Sequence, residues 1–182
     1  GVGFAFVSET PENIAALRVP GLLILSSCYD VSPEMAQALT EYVTRGGNIL
    51  WTDVPARSLA RSPALQQLTG VAAARWIGER RISLRPVGEH PLARVIPSAP
   101  FTTESLYAPT LNGAKLIAEL DSGEPAVTLN RCGKGCVMVL GFHIMKSTSN
   151  TAPLLARALV DWFKAEVGFN GPDPLAAQRA QW

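Results

Sequence analysis

The sequence predicts an α/β fold, a three-layer sandwich around a mostly parallel central sheet. Two observations support this prediction in the first third of the chain, where apolar runs of strand length alternate with helical patterns and the connections are short. A third comes late in the chain, where two apolar runs flank a glycine-rich turn and predict a β-hairpin. The central runs are apolar along their whole length, which is typical of strands covered by helices on both faces.

The order of elements begins with a strand, "GVGFAFVS", followed by a short helix that has Thr10 as its N-cap and Pro11 at its first position. The next strand is "GLLILSS". Ser32 then caps a second helix, which shows one apolar stripe and ends at Gly46-Gly47. The strand "NILWTDV" follows. We expect the central strands of the sheet to contain Leu22–Leu25, Ile49–Trp51 and Val137–Leu140.

The middle of the chain is less regular. "PALQQLTGV" predicts a short helix ended by Gly70, and "RISLRPV" alternates as a strand with one wet face does. Residues 88–114 predict a long ordered excursion. Three strands follow, "KLIAEL", "AVTLNRC" and "CVMVLGF", and then an amphipathic helix over residues 151–167. We therefore predict one domain over residues 1–169 and a linker or tail over residues 170–182.

Composition excludes several classes of function. The chain has 182 residues, of which 47% are hydrophobic and 17% charged, as expected of a globular domain. A net charge of +1 gives no reason to expect nucleic acid as a partner. No apolar run reaches the roughly 18 residues that a membrane span needs. A strand that begins at Gly1 suggests a fragment of a longer protein.

The three cysteines are too few and too scattered for a disulfide framework or a zinc site. Cys132 and Cys136 flank the hairpin turn, so the sequence leaves open whether they pair across it or remain reduced. Reduced thiols favour a cytoplasmic location, although the sequence does not fix the compartment.

Chemistry in a parallel α/β sheet takes place beyond the carboxyl ends of the strands. Here those ends carry Ser26-Ser27-Cys28, Thr52-Asp53 and His143. A thiol, a carboxylate and an imidazole could together support nucleophilic catalysis, so Cys28, Asp53 and His143 are the candidate catalytic residues.

The order of motifs then becomes familiar. Ser32-Pro33-Glu34 opens a helix, Gly46-Gly47 ends it, and the late hairpin Gly133-Lys134-Gly135 leads to Gly141-Phe142. In this order the chain, over about residues 3–168, resembles the flavodoxin-like, class I glutamine amidotransferase-like fold. Within that fold it is most similar to the non-catalytic trimerisation domain of certain bacterial β-galactosidases. The resemblance implies that the domain lacks its first strand and helix.

The resemblance also implies a lost active site. Active members place a cysteine on the sharp turn after the strand that matches "NILWTDV", where this chain has Asp53, followed by Val54 and Pro55. They carry a histidine and a glutamate after the late strand, where this chain keeps His143 but has Met145 in place of the carboxylate. His143 would then have neither a thiol to deprotonate nor an acid to hold its tautomer.

Two enzymatic or binding alternatives remain open. Cys28 could serve His143 in a free-standing cysteine hydrolase or amidase, if the two loops converge. Asp53 could orient a small ligand in a strand-end pocket, or it could simply cap the turn after its strand. No cofactor and no metal are predicted, because no nucleotide fingerprint or metal-binding histidine pair is present, and "GKG" joins two strands where a phosphate loop opens a helix.

An excess of arginine marks residues 57–94, which hold seven arginines against two glutamates: Arg57, Arg61, Arg75, Arg80, Arg81, Arg85 and Arg94, with Glu79 and Glu89. Trp76 lies among them. This excess could contact an anionic ligand, form a solvated face or form a subunit interface. Because Trp and Arg are enriched at interface hot spots, we take Trp76, Arg80, Arg81 and Arg85 as candidate interface residues. The sequence therefore predicts a non-catalytic accessory domain of a larger glycoside hydrolase, which would act in oligomerisation or active-site shaping through self-association or contact with other domains of the same chain.

Overall fold

The computed structural model describes residues 8–26, 28–144 and 149–167. The predicted first strand falls, except for Ser8, outside the described residues. So do Met145 and the predicted tail over residues 170–182.

Five α-helices and ten strands are present in the described residues. The helices are α1 (Pro11–Ala15), α2 (Pro33–Thr44), α3 (Ala56–Leu59), α4 (Pro63–Thr69) and α5 (Thr151–Val167). The first five strands are β1 (Gly21–Ser26), β2 (Gly47–Thr52), β3 (Val71–Trp76), β4 (Arg80–Ile82) and β5 (Leu84–Pro86). The others are β6 (Phe101–Thr103), β7 (Tyr107–Leu111), β8 (Lys115–Leu120), β9 (Pro125–Cys132) and β10 (Gly135–Leu140), with a short 3-10 helix at Pro91–Arg94.

The main sheet has six strands in the order β1-β2-β10-β9-β8-β5. The pairs β1–β2 and β2–β10 are parallel, whereas β10–β9, β9–β8 and β8–β5 are antiparallel. The predicted parallel core is confirmed for these first three strands. The sheet as a whole is mixed, because its second half is a meander in which consecutive strands are joined by short turns, and a short turn permits only antiparallel pairing.

Two clusters of buried residues meet along strand β10. Along β10, Cys136, Met138 and Leu140 face one cluster of buried residues, while Val137 and Val139 face another. The first cluster includes the apolar stripe of α5, and the second includes that of α2. The alternation along a strand that is buried throughout places both apolar layers against the same strand, as its continuous apolar sequence predicted.

The predicted helix boundaries are confirmed where a cap specifies them. Thr10 Oγ1 accepts from the backbone N–H of Asn13 at 3.3 Å, and Ser32 Oγ accepts from Met35 N–H at 3.1 Å. Gly70 ends α4 in the left-handed conformation, with φ +66°.

Two parts of the fold differ from the prediction. "RISLRPV" is divided between β4 and β5, which belong to different sheets. The excursion over residues 88–114 contains β6 and β7, which pair with β4 and β3 in two small antiparallel sheets. Strand pairing between distant segments carries no local sequence signal, so the sequence does not predict these two-stranded ribbons.

Strand β1 is less covered than its apolar sequence predicts. Ile24 is 39% exposed, and only Leu25 is buried among the strand's residues. Within the part of the chain that the structure describes, β1 pairs with β2 alone. The described residues therefore leave its outer edge uncovered, which explains the difference.

The three thiols are free. Cys136 packs in the cluster that contains α5, whereas Cys132 packs against the cluster that contains α2. The two side chains thus lie on opposite faces of the sheet, and a cross-strand disulfide between them does not form.

Candidate functional site at the carboxyl ends of the parallel strands

The three parallel strands end in register at one edge of the sheet. Ser26, the last residue of β1, is aligned with Thr52 of β2, which is aligned with Leu140 of β10. The residues that follow Thr52 and Leu140 therefore lie side by side. A backbone hydrogen bond of 3.1 Å from Asp53 N–H to the carbonyl of Phe142 joins the two strand ends.

Asp53 has an unusual backbone conformation. Its φ is +68°, and it is the one residue other than glycine with positive φ in the described chain. For a residue with a Cβ this region costs about 1–2 kcal/mol, although aspartate tolerates it better than most. A sharp turn of this kind at a strand end is how an α/β fold presents a nucleophile, and here the turn carries a carboxylate instead.

The carboxylate of Asp53 is fully buried and both of its oxygens accept hydrogen bonds. Tyr29 donates its hydroxyl to Oδ2 at 2.7 Å, and Ser105 donates its hydroxyl to Oδ1 at 2.8 Å. These bonds tie the loop after β1 and the segment before β7 to the end of β2. They offset the backbone cost and the desolvation of the carboxylate.

His143 is also buried, with 3% of its surface exposed. Its Nε2 lies 3.3 Å from the hydroxyl oxygen of Ser26, and its backbone N–H donates to the carbonyl of Ser105 at 3.3 Å. Ser105 therefore contacts both His143 and Asp53, which connects the two candidate residues through a third.

Cys28 does not have the properties of a nucleophile. Its side chain is 8% exposed, and its Sγ points toward Oε2 of Glu9 at 3.9 Å. Burial, assisted by the negative charges of Glu9 and Asp30, raises the pKa of the Cys28 thiol from 9.0 to about 11. A nucleophilic cysteine needs a lowered pKa, so this environment acts in the opposite direction.

Sequence reasoning placed Asp53 and His143 at one edge correctly but missed their partners. Ser26 lies at the strand end that also carries Cys28, and the structure gives His143 the serine and not the cysteine as its side-chain neighbour. Ser105 lies in the irregular excursion, and nothing in the sequence indicated that this segment returns to the strand ends.

The candidate interface residues differ in exposure and in their partners. Trp76 is 51% exposed, and its ring meets that of Tyr107 edge to face at 5.0 Å between centroids. Arg80 contacts Glu124 at 3.8 Å and donates to Ser122 at 3.1 Å. Arg85 pairs with Glu119, and Arg81 is exposed.

Tyr107 links the Trp76 ring to the strand-end site. Its backbone N–H donates to the carbonyl of Gly141. Burial raises the pKa of its phenol, and the negative charge of Asp53 raises that pKa further. The exposed Trp76 therefore borders the edge that carries Asp53 and His143.

Two surface cavities lie elsewhere. One, of about 440 Å³, is lined by Leu84, Arg85 and Asp121 among others, and the other, of about 460 Å³, is lined by His90, Lys115 and Arg131 among others. Within the described ranges, no group of three His, Cys, Asp or Glu side chains is placed to hold a metal ion. None of the described helices combines the length and apolarity needed to cross a membrane.

Neither a known protein family nor a curated protein matches this sequence. Solved structures match its fold. A β-galactosidase from Rahnella sp. R3 is 20% identical with a TM-score of 0.59, and the match covers 84% of this chain and 24% of the β-galactosidase chain. A β-galactosidase from the haloarchaeon Halorubrum lacusprofundi is 19% identical with a TM-score of 0.58, and the match covers 84% of this chain and 23% of the β-galactosidase chain.

A cytoplasmic protein from Salmonella typhimurium is 13% identical with a TM-score of 0.58, and the match covers 87% of this chain and 76% of that protein. The chain thus spans about a quarter of the length of the β-galactosidases it matches, but most of this third protein. At these identities the likeness establishes the fold alone. The chain shares the fold of a segment found within β-galactosidase chains.

Proposed function

We propose that this chain is a non-catalytic accessory domain of a larger glycoside hydrolase such as a β-galactosidase, with the class I glutamine amidotransferase-like fold. The observation that carries the proposal is the state of the strand-end turn. The position that would present a nucleophile holds Asp53, and both oxygens of its buried carboxylate are hydrogen bonded to hydroxyl groups. The fold likeness to segments of β-galactosidase chains supports the same conclusion.

The work of such a domain is done by a surface. Trp76 is the best candidate for its anchor, because an indole half exposed and supported by a second aromatic ring is the type of residue that dominates interface energies. Arg81 is exposed on the neighbouring ribbon, while Arg80 and Arg85 are engaged in ion pairs within the domain. We therefore expect Trp76 and Arg81 to contact a partner, whereas the ion pair of Arg80 holds the β4–β6 ribbon and that of Arg85 lies within the six-stranded sheet.

The partner is a second copy of the protein or another domain of the same chain. A specific interface buries about 1,200–2,000 Å² in total, and a few anchors supply most of its energy. The test is light scattering on the full-length protein at tens of micromolar. Trp76→Ala combined with Arg81→Ala should lower the oligomeric mass or destabilise the assembled state.

Leu154→Ala is the matched control, since Leu154 is 62% exposed and lies on α5, a different element from the strands that carry Trp76 and Arg81. An oligomer that is unaffected by the Trp76 and Arg81 substitutions, or equally affected by Leu154→Ala, would remove this surface from the proposal. A full-length protein that is strictly monomeric would remove self-association and leave contact with other domains of the chain.

A hydrolase is the second candidate function, and one observation favours it. The Ser26 hydroxyl and the His143 imidazole lie within hydrogen-bonding distance, as a nucleophile and its general base do. In that reaction Ser26 Oγ would attack an ester carbonyl while Nε2 takes its proton, and the C–O bond to the alcohol would break as the imidazolium returns that proton to the departing alcohol. Water, deprotonated by Nε2, would then attack the acyl group and release it as a carboxylic acid, which restores Ser26. Labelling of the protein by a fluorophosphonate, lost in both Ser26→Ala and His143→Ala, would favour the hydrolase over the accessory domain.

A further inference from the structure

An open groove lies at the end of the β9–β10 hairpin that is remote from His143. It has a volume of about 460 Å³, which is within the range of small-molecule sites. Its lining residues lie at the N-cap of the 3-10 helix, in the β7–β8 connection and at the facing ends of β8 and β9: His90, Gly113, Lys115, Leu129, Asn130 and Arg131. Lys115 of β8 is directly opposite Leu129 of β9 in the antiparallel register. Arg131 follows Leu129 by two residues and therefore lies on the same face of the sheet, diagonally across from Lys115.

The groove carries an excess of positive charge. The guanidinium of Arg131 lies 3.4 Å from the carboxylate of Glu166, and both side chains are substantially exposed, at 64% and 44%. Lys115 has no ion-pair partner among the described residues. Two cations therefore lie near one carboxylate. An exposed ion pair such as Arg131–Glu166 contributes little stability, so an incoming anion can compete with Glu166 for Arg131.

His90 adds a hydrogen-bond donor. Its Nδ1 accepts the backbone N–H of Leu92 at 3.3 Å, so in the neutral ring the proton is on Nε2. Burial, assisted by the positive charge of Lys115 and opposed by Glu166, lowers the pKa of His90, which keeps the ring neutral at pH 7. The cap on the 3-10 helix thus fixes Nε2–H as the donor.

The remaining polar groups do not compete as ligands. The side-chain amide of Asn130 donates to the carbonyls of Gln67 and Leu68, both at 2.9 Å, so its N–H groups are already used. The His90 ring packs on Trp162 with centroids 5.7 Å apart, and Trp162 Nε1 is buried without a hydrogen-bond partner in the described chain. The ring of His90 is therefore held in place by an indole and by a backbone donor.

From this arrangement we infer that the groove binds a small oxyanion, the phosphate or carboxylate group of a small molecule, between Lys115, Arg131 and Nε2–H of His90. Each of these three groups donates hydrogen bonds and none accepts them, which suits a ligand that only accepts. The site is independent of the proposed accessory function, because it lies on the face covered by α5 and away from Trp76.

Nuclear magnetic resonance of the imidazole groups tests this inference directly. The chain contains two histidines, so His143 serves as the internal reference for His90. We expect inorganic phosphate and glucuronate to shift the His90 signals in a saturable way at millimolar concentrations. The bound anion should also raise the pKa of His90, because it favours the imidazolium form. Glucose, the neutral sugar, should have no effect.

Variants decide which residues bind. Lys115→Met and Arg131→Met should each weaken binding about tenfold, which corresponds to about 1.4 kcal/mol. Arg61→Met removes an equal charge from an exposed position outside the groove and should leave binding unchanged. Far-UV circular dichroism confirms that each variant is folded, which the exposure of these side chains leads us to expect.

Three results would overturn the inference. The first is the absence of a saturable shift with either anion. The second is an equal shift with sodium chloride at matched ionic strength, which would indicate general screening. The third is binding that survives both Lys115→Met and Arg131→Met. Binding of phosphate without glucuronate would assign the site to phosphate-bearing ligands.

Discussion

The Tyr29 hydroxyl donates a 2.7 Å hydrogen bond to Oδ2 of Asp53, and this bond joins the loop after β1 to the turn after β2. Asp53 stands where an α/β enzyme would present its nucleophile, in a left-handed conformation at φ +68°. Because Ser105 occupies the other carboxylate oxygen, the turn is held by its side chain from two directions. A position suited to chemistry is used here to fasten three segments together.

Substitution of Asp53 should separate the backbone cost from the hydrogen bonds. Asp53→Ala should lower the free energy of unfolding by about 2–4 kcal/mol, because the buried hydroxyl of Ser105 and that of Tyr29 lose their acceptor. Asp53→Gly loses the same bonds but adopts positive φ freely, so it should be more stable than Asp53→Ala by about 1 kcal/mol. Urea denaturation measures both, and a glycine variant no more stable than the alanine variant would refute the backbone cost.

The bond between Tyr29 and Asp53 can be measured by itself. We expect Tyr29→Phe to cost about 1 kcal/mol in the wild-type background and close to nothing in Asp53→Ala. The same pair of urea titrations gives the coupling. Equal costs in both backgrounds would mean that the hydroxyl stabilises the protein through some other group.

The thiol of Cys28 should react slowly with iodoacetamide near neutral pH. Its pKa is raised to about 11, so the thiolate becomes abundant only well above the pH at which an ordinary cysteine reacts. His143→Ala should leave the rate unchanged, because Nε2 of His143 lies within hydrogen-bonding distance of the Ser26 hydroxyl and not of the Cys28 thiol. Mass spectrometry of the labelled peptide follows the reaction. Rapid labelling of Cys28 at pH 7 that depends on His143 would instead establish a catalytic pair.

Stability should fall in alkaline solution. The pKa values of Cys28 and Cys136 are both raised from 9.0 to about 11 by burial, so between these values the unfolded chain loses its thiol protons while the folded chain keeps them. The unfolded state then binds fewer protons, and the free energy of unfolding decreases as the pH rises from about 9 to about 11. Below pH 9 these groups contribute no dependence on pH. Urea midpoints measured at pH 8 and pH 10.5 test this, and the double variant Cys28→Ser, Cys136→Ser should show a smaller difference.

Gly135 should be intolerant of any side chain. A Cβ at this position would lie 1.9 Å from the carbonyl oxygen of Gly47 and 2.7 Å from that of Val43, and both are backbone atoms that cannot move aside. We expect Gly135→Ala to destabilise the protein by several kcal/mol or to prevent folding. Gly123→Ala is the control, because no atom lies within 4 Å of its Cβ and only its positive φ opposes the substitution. It should cost about 1–2 kcal/mol in thermal or urea unfolding. Similar losses in the two variants would contradict the steric argument.

The sequence alone determined the features that depend on neighbouring residues. Ser32 and Gly70 specify helix ends by hydrogen bonds within a turn, and the apolar runs of β2 and β10 specify strands buried on both faces. The helical pattern between β1 and β2 indicated a crossover connection and therefore a parallel pair. The carboxyl ends of parallel strands lie at one edge of a sheet, which was the basis for expecting Asp53 and His143 there.

Only the tertiary structure decided which side chains meet there. Ser26 lies 117 positions from His143 in the sequence, and Ser105 lies 52 positions from Asp53. Such contacts depend on strand register and on the path of a long irregular segment, neither of which leaves a periodic pattern in the sequence. The same holds for the β3–β7 ribbon that carries Trp76 and for the groove between Lys115 and Arg131. Their geometry is set by pairing between distant strands, because a strand's partner is chosen by the packing of the whole domain and not by its own residues.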